Sequence, residues 1–146
     1  MNELAIGILS ALVATNSPVA ARLLAPTGAE AEKVAAAYRK VLEADEEALA
    51  EVNRWMADNE RFRAAGGGLS REELSQKISI RLAKVVDAYE AFVKEHPRHV
   101  EGRIAYGSFL NEISEEHKAA EQWERARLLD PSHPAPWNNL ANHFGH

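Results

Sequence analysis

Two stretches of the chain, PRHVEGRIAYGSFL at 97–110 and PSHPAPWNNLANHF at 131–144, decide its fold. Each begins with proline, has histidine two residues later, and continues in a pattern typical of a helix. They lie 34 residues apart, and the segments before them match at the same offset. The matched pairs are Pro97 and Pro131, His99 and His133, Tyr89 and Trp123, Glu90 and Glu124, Tyr106 and Leu140, Gly107 and Ala141, and Leu110 and Phe144. A fixed period of this length predicts stacked, repeated pairs of helices.

The period and its residues resemble the tetratricopeptide repeat (TPR) of bacterial proteins, with the pattern W-x2-L-G-x2-Y, then A-x3-F, an alanine and a proline. Residues 100–133 form a complete unit, in which only Arg103 departs, standing where tryptophan is typical. The matching residues are Tyr106, Gly107, Leu110, Ala119, Trp123, Ala126 and Pro131. Residues 134–146 match the first helix of a further unit, and residues 70–97 form a degenerate unit.

The small residues of the pattern predict close packing between paired helices. Gly107 and Ala119 lack bulk, and a glycine inside a helix is costly unless the space is needed. Larger neighbours such as Tyr106 and Leu110 then fill the gaps between helices. The three tryptophans are interpreted in the same way, as core residues: Trp55, Trp123 and Trp137.

The part of the chain before the repeats is also helical in pattern, and no sustained alternating stretch predicts a strand. Apolar residues at three-to-four spacing predict a helical region over 29–68, either as one kinked helix or as two helices with Asp45 capping the second. Gly66-Gly67-Gly68 ends this region. Ser70 and Glu73 then match a capping box, which predicts the start of the next helix.

The fold class expected is therefore all-α, with an N-terminal helical region at 29–68 followed by a TPR-like α-solenoid of helix pairs at 70–146. Residues 1–25 form an apolar N-terminal segment that is too short to span a bilayer as a helix. A processed export signal and a buried or interfacial helix both stay open for this segment. An exported location (periplasm or cell envelope) and a cytoplasmic one stay open with them, and membrane contact is expected only from an uncleaved anchor.

Composition excludes several classes of function. The chain has 146 residues, 46% of them hydrophobic, and a net charge of -5, which suits a globular protein and argues against nucleic acid as a partner. It contains no cysteine, so disulfides and thiolate metal sites are absent. Histidine pairs such as His96 and His99 lack an obvious third ligand, so no metal site is expected. The three glycines lack the lysine of a phosphate loop.

We therefore expect neither a catalytic site nor a cofactor, and the resemblance implies a protein-interaction scaffold instead. TPR proteins typically bind a peptide or protein surface on a concave face lined by the first helix of each repeat. By position, the expected peptide-binding groove consists of Ile104, Ser108, Asn111, Asn138, Asn139 and Asn142. Asparagine side chains suit the backbone of an extended peptide, although solvated helix surface explains them equally well.

The positions of two groove residues also predict what is not bound. Ile104 and Asn138 stand where chaperone-binding TPRs have the lysine of a carboxylate clamp, so clamp-type recognition of acidic C-termini is not expected. Two other roles stay open. One is a docking segment of a larger multidomain enzyme or envelope assembly. The other is self-association through the C-terminal helix. Its apolar residues Trp137, Leu140 and Phe144 are expected to pack against a further helix, either of a longer array or of a second chain.

Overall fold

The computed structural model describes residues 28–145, and every regular element in this range is an α-helix. The helices are α1 Gly28–Ala64, α2 Arg71–Glu95, α3 Val100–Glu112, α4 Glu116–Leu129 and α5 Pro134–Phe144. The absence of strands from the described range confirms the all-α expectation. None of these five helices is both long and apolar enough to cross a membrane. The segment 1–25, with its two interpretations, lies outside the described residues.

The chain divides within α1, between Lys33 and Val34. Of the first part, the structure describes residues 28–33, an exposed stretch in which the Lys33 ammonium forms an ion pair with Glu30 at 3.1 Å. The packing of helices described below concerns residues 34–145.

α1 is one helix of 37 residues, so of the two alternatives left open for this region the one with a second helix capped by Asp45 is wrong. The Asp45 carboxylate reaches across to α2 instead, where it accepts a hydrogen bond from the Tyr89 hydroxyl at 2.7 Å. Closer to the turn between the two helices, Arg81 Nε donates to Glu51 at 2.7 Å. The later residue of α1, Glu51, pairs with the earlier residue of α2, Arg81, and the earlier residue, Asp45, pairs with the later one, Tyr89. The two helices therefore run antiparallel.

The glycine turn after α1 is held by specific hydrogen bonds. The Gly67 N–H donates to the Phe62 carbonyl at 2.9 Å. The Gly66 N–H donates to the Arg63 carbonyl at 3.0 Å, and Gly66 has a φ of +85°. These two bonds and the left-handed residue form a Schellman cap, which satisfies the last carbonyls of the helix.

Hydrogen bonds from Asn59 hold both backbone groups of Leu69, just before the start of α2. Asn59, buried near the end of α1, accepts from the Leu69 N–H at 2.6 Å and donates to its carbonyl at 3.2 Å. Ser70 and Glu73 form the predicted capping box, with bonds of 3.2 and 2.8 Å, which confirms that prediction. The hydrogen bond from the Ser70 backbone N–H lowers the pKa of the Glu73 carboxyl, and the Ser70 side chain lowers it further.

The turns before α3 and α5 have the same backbone hydrogen bond at the 34-residue offset, from the His99 N–H to the His96 carbonyl and from the His133 N–H to the Asp130 carbonyl. Both histidine side chains also cap the next helix, although they accept from N–H groups three and two residues ahead. Nδ1 of His99 accepts from the Gly102 N–H at 2.9 Å, and Nδ1 of His133 accepts from the Ala135 N–H at 3.2 Å. Both histidines are thus N-caps, and the bounds of the flanking helices recur at the same offset. The recurrence seen in the sequence therefore corresponds to a recurrence of local structure.

Glycines inside α3 allow aromatic rings to approach its backbone. A Cβ on Gly107 would lie 2.6 Å from Cδ1 of Trp123 on α4, and one on Gly102 would lie 2.5 Å from Cε1 of Phe92 on α2. Ala119 on α4 is completely buried. The close approach predicted at Gly107 is confirmed, and Ala119 is buried as its small size suggested.

The core runs through all five helices of the described range. Its buried hydrophobic residues form one cluster: Val41, Ala48, Val85, Tyr89, Phe92, Tyr106, Phe109, Leu110, Ala119, Trp123 and Leu140. The rings of Tyr89 and Tyr106 stack in parallel, with centroids 5.1 Å apart, and so join α2 to α3. Offset stacking of this kind adds to the burial of the rings themselves.

Candidate functional site: a groove between α3 and α5

A groove of about 420 Å³ lies where α3 and α5 face each other across α4, and we call it the Asn groove. It is lined by Ser108, Asn111, Glu112, Glu116, Trp123, Asn139, Asn142 and His143. The lining thus combines amide, hydroxyl and carboxylate groups with one indole and one imidazole ring.

Four of the six residues predicted for the peptide-binding groove come together here: Ser108, Asn111, Asn139 and Asn142. Ile104 is half-buried and outside the lining, where its backbone carbonyl accepts from the Trp123 indole at 3.3 Å. Asn138 is exposed on α5 and also outside the lining. Two helices that are not adjacent in sequence therefore bring most of the predicted set to one place.

The floor of the Asn groove is the Trp123 ring, of which only 4% is exposed. The absence of a side chain on Gly107 lets this ring lie against α3. His143 contacts it edge-on from α5, with ring centroids 6.5 Å apart. The floor belongs to the hydrophobic core, and the amides that line the groove lie on exposed or partly exposed helix surface.

The Asn groove is acidic. Glu112 and Glu116 line it from the end of α3 and the start of α4, and neither lysine nor arginine is among the lining residues. Sequence analysis had not included these two carboxylates or His143 in the groove. The sequence signal of Glu116 is weak, because an acidic residue at a helix N-terminus already has an explanation in the helix dipole.

The arrangement provides hydrogen bonding and charge rather than reactive groups. Asparagine amides both donate and accept, so they can pair with both the N–H and the carbonyl of a peptide bond. Within residues 28–145 there is no set of three His, Cys, Asp or Glu side chains that could hold a metal ion. Comparison with protein-family models, with curated proteins and with solved structures finds no match for this chain.

The outer face of α5 exposes large aromatic residues. Trp137 is 48% exposed, and Phe144 is 71% exposed, whereas Leu140 between them is buried. The interpretation of Trp137 as a core residue is therefore wrong. Its ring lies beneath the Arg127 guanidinium at 4.7 Å instead, which is a cation–π contact typical of partly solvated surface.

Proposed function

We propose that this chain is a protein-interaction scaffold of the TPR type, and that the Asn groove binds an extended peptide or a protein surface. The TPR assignment is supported by the 34-residue recurrence of the capped turns and by the ring–glycine contact at Gly107. The binding role rests on one observation above all. Two helices separated in sequence present Ser108, Asn111, Asn139 and Asn142 to the same hollow.

The chemistry of the Asn groove favours a basic peptide in an extended conformation. The amides of Asn139 and Asn142 bind peptide backbone, which gives affinity independent of sequence. The carboxylates of Glu112 and Glu116 attract lysine or arginine side chains and repel acidic ones. The groove is therefore expected to reject the acidic C-termini that a lysine clamp would accept.

The test is a selection from a displayed library of random peptides on the wild-type protein, followed by fluorescence polarisation with the selected peptides. We expect peptides enriched in lysine and arginine, with binding that weakens as salt increases. The double variant Asn139→Ala, Asn142→Ala is expected to bind about tenfold more weakly, through the loss of two or more hydrogen bonds.

Asn138→Ala is the matched control, because Asn138 lies on the same helix but outside the lining. It is expected to bind the selected peptides with wild-type affinity. Alanine has a higher helix propensity than asparagine, so these substitutions do not unfold α5. The proposal fails if no peptide is selected, or if the double variant and the control bind equally well.

A second candidate is self-association through α5, favoured by the exposure of Trp137 and Phe144 on one short helix. Large exposed aromatic residues often mark interaction surfaces. Sedimentation velocity over a concentration series tests it, with the double variant Trp137→Ser, Phe144→Ser as comparison. A wild-type protein that stays monomeric at high concentration would rule it out.

A further inference from the structure

Arg103 and Trp137 occupy equivalent positions 34 residues apart and make the same hydrogen bond. Nε of Arg103 donates to the Pro97 carbonyl at 3.0 Å, and Nε1 of Trp137 donates to the Pro131 carbonyl at 2.9 Å. The turn therefore needs one N–H donor at this position, and an uncharged indole supplies it. The positive charge of Arg103 is not needed for the turn.

This charge is buried without a counter-ion. Only 7% of Arg103 is exposed, and none of the ion pairs within residues 28–145 includes it. Its second hydrogen bond, from Nη1 to Gln122 Oε1 at 2.9 Å, is to another neutral acceptor. Burying a cation without an anion is costly. Two hydrogen bonds use two of the five N–H groups of a guanidinium, which leaves three donors for a ligand.

Arg103 lines a hollow of about 600 Å³ formed by α2, α3 and α4, which we call the Arg103 hollow. Its charged lining residues are Glu90, Lys94, Arg103, Lys118, Glu121 and Arg125. Cations outnumber carboxylates there by two, in a chain whose net charge is -5. Lys118 also forms an ion pair with Glu115 outside the lining, whereas Lys94, Arg103 and Arg125 form none within residues 28–145. Of these three cations, Lys94 and Arg125 are exposed and Arg103 is buried.

We propose that the Arg103 hollow binds an oxyanion, a carboxylate or a phosphate, between the guanidinium groups of Arg103 and Arg125. Guanidinium groups match the geometry of both anions and bind them through charge-assisted hydrogen bonds. The side chains of Val93 and Leu110 also line the hollow, which suits an anion carried on an apolar body. Burial, together with the charge of Arg125, lowers the pKa of Arg103. A bound anion would relieve both effects.

This site is separate from the Asn groove. Arg103, Tyr106 and Leu110 face the Arg103 hollow from α3, whereas Ser108 and Asn111 face the Asn groove from the same helix. No lining residue is shared between the two. Oxyanion binding in the Arg103 hollow can therefore be tested independently of peptide binding in the Asn groove.

The test is to titrate the full chain with sodium phosphate in one series and with sodium glutarate in another. Amide chemical shifts in NMR spectra monitor binding. At low ionic strength we expect saturable shifts confined to α2, α3 and α4, and weakening as sodium chloride is added. The series with the tighter dissociation constant identifies phosphate or carboxylate as the preferred anion. Arg125→Gln is expected to raise that constant about fivefold.

Arg103→Trp tests the central residue, because tryptophan at the equivalent position 137 keeps the donor to the turn carbonyl. We expect this variant to lose saturable binding. Arg54→Gln, which removes an exposed charge on α1 outside the hollow, is the charge-matched control and should bind like the wild type. If Arg103→Trp fails to fold, Lys94→Gln combined with Arg125→Gln replaces it, with the same expected loss.

Three outcomes would overturn the proposal. The first is the absence of saturable shifts with both anions. The second is a folded Arg103→Trp variant, or the replacement double variant, that binds as well as the wild type. The third is an Arg54→Gln control that weakens binding as much as Arg125→Gln, since the attraction would then depend on overall charge rather than on this site.

Discussion

The α1–α2 pair and the α3–α4 pair are held together by different interactions. In the α3–α4 pair, Gly107 and Ala119 lack bulk, and the Trp123 ring lies directly against the backbone of α3. In the α1–α2 pair, long side chains bridge the helices, as in the bonds of Arg81 to Glu51 and of Tyr89 to Asp45. In the first pair a ring lies against the helix backbone, and in the second long polar side chains bridge the helices beside buried residues such as Ala48 and Val85.

The difference extends to exposed surface. The α1–α2 pair leaves several large apolar side chains in solvent, among them Met56 at 51%, Phe62 at 62% and Ile80 at 57% exposed. In the α3–α4 pair, Leu128 at the end of α4 is exposed to a similar degree, at 70%, whereas Phe109 and Leu110 are 1% exposed. Close packing makes a region sensitive to small changes in volume. We therefore expect substitutions in α3 and α4 to cost more than similar substitutions in α1 and α2.

The largest expected effect comes from the tryptophans of the two pairs. Trp123→Ala removes a buried ring and is expected to lower the free energy of unfolding by about 3–5 kcal/mol. Trp55 is half-buried, with the Lys77 ammonium 3.9 Å from its ring centre. Trp55→Ala is expected to cost about 1–2 kcal/mol, since less surface is lost. Urea denaturation of both variants checks this, and equal costs would contradict the comparison.

The next largest effect on stability is expected from adding a single methyl group to a glycine. Gly107→Ala places a Cβ against the buried Trp123 ring and is expected to cost about 1–3 kcal/mol, despite the better helix propensity of alanine. Gly67→Ala, in the turn after α1, is the control, because its Cβ would meet only the Phe62 carbonyl oxygen at 3.7 Å. Thermal melts should show a lower midpoint for the first variant and little change for the second.

A smaller effect is expected from the hydroxyl groups of two stacked tyrosines. Tyr89→Phe removes the donor to Asp45, whose carboxylate is partly buried, and is expected to cost about 1–2 kcal/mol. Tyr106→Phe removes a 3.2 Å bond to the exposed Glu90 and should cost about half as much or less. Urea denaturation at neutral pH compares the two. The reverse order would mean that Asp45 is adequately solvated without Tyr89.

The same substitution has a consequence for the ionisation of Asp45. Burial raises the pKa of this carboxyl, the bond from Tyr89 lowers it, and neighbouring Glu46 raises it. Removing the hydroxyl in Tyr89→Phe should therefore raise the pKa of Asp45 further. A side-chain carboxyl NMR titration of the two proteins would detect the change.

Sequence reasoning worked best where the same physical need recurs. His99 and His133 were matched at the repeat offset because both turns need an acceptor for the first N–H groups of a helix. Gly107 was identified because the repeat pattern has a small residue there. Gly102 needs the same space beside Phe92, yet it was missed. Its equivalent is Pro136, so the repeat gives no signal at that position.

Polar contacts between distant helices were not predictable in the same way. A helix cap at Asp45 was one of two alternatives, because aspartate often caps helices, but its partner is 44 residues away on α2. Glu112 and Glu116 enter the Asn groove only because α3, α4 and α5 meet there. Trp137, which opens the match to a further repeat unit, was interpreted as a core residue. Its ring lies on the surface because the turn carbonyl and Arg127 fix its position.

The smallest expected effect concerns the pH dependence of the His99 cap. Its ring lies between Tyr38 and Phe92, with centroid distances of 4.8 and 5.0 Å. Burial lowers the pKa of His99 below its usual 6.5, Glu101 at 3.8 Å acts in the opposite direction, and His96 lowers it further. The neutral ring is also the form whose Nδ1 can accept from Gly102.

Because the folded pKa of His99 lies below the unfolded value, the folded state binds fewer protons around pH 6. The stability from the cap is therefore fully present above pH 6.5 and is lost as the pH falls through the lower folded pKa. His99→Asn keeps a capping acceptor that does not titrate. Urea denaturation from about pH 7.5 to about pH 5 should show the wild type losing up to about 1 kcal/mol relative to this variant. Parallel curves for the two proteins would show that the cap does not depend on a neutral histidine.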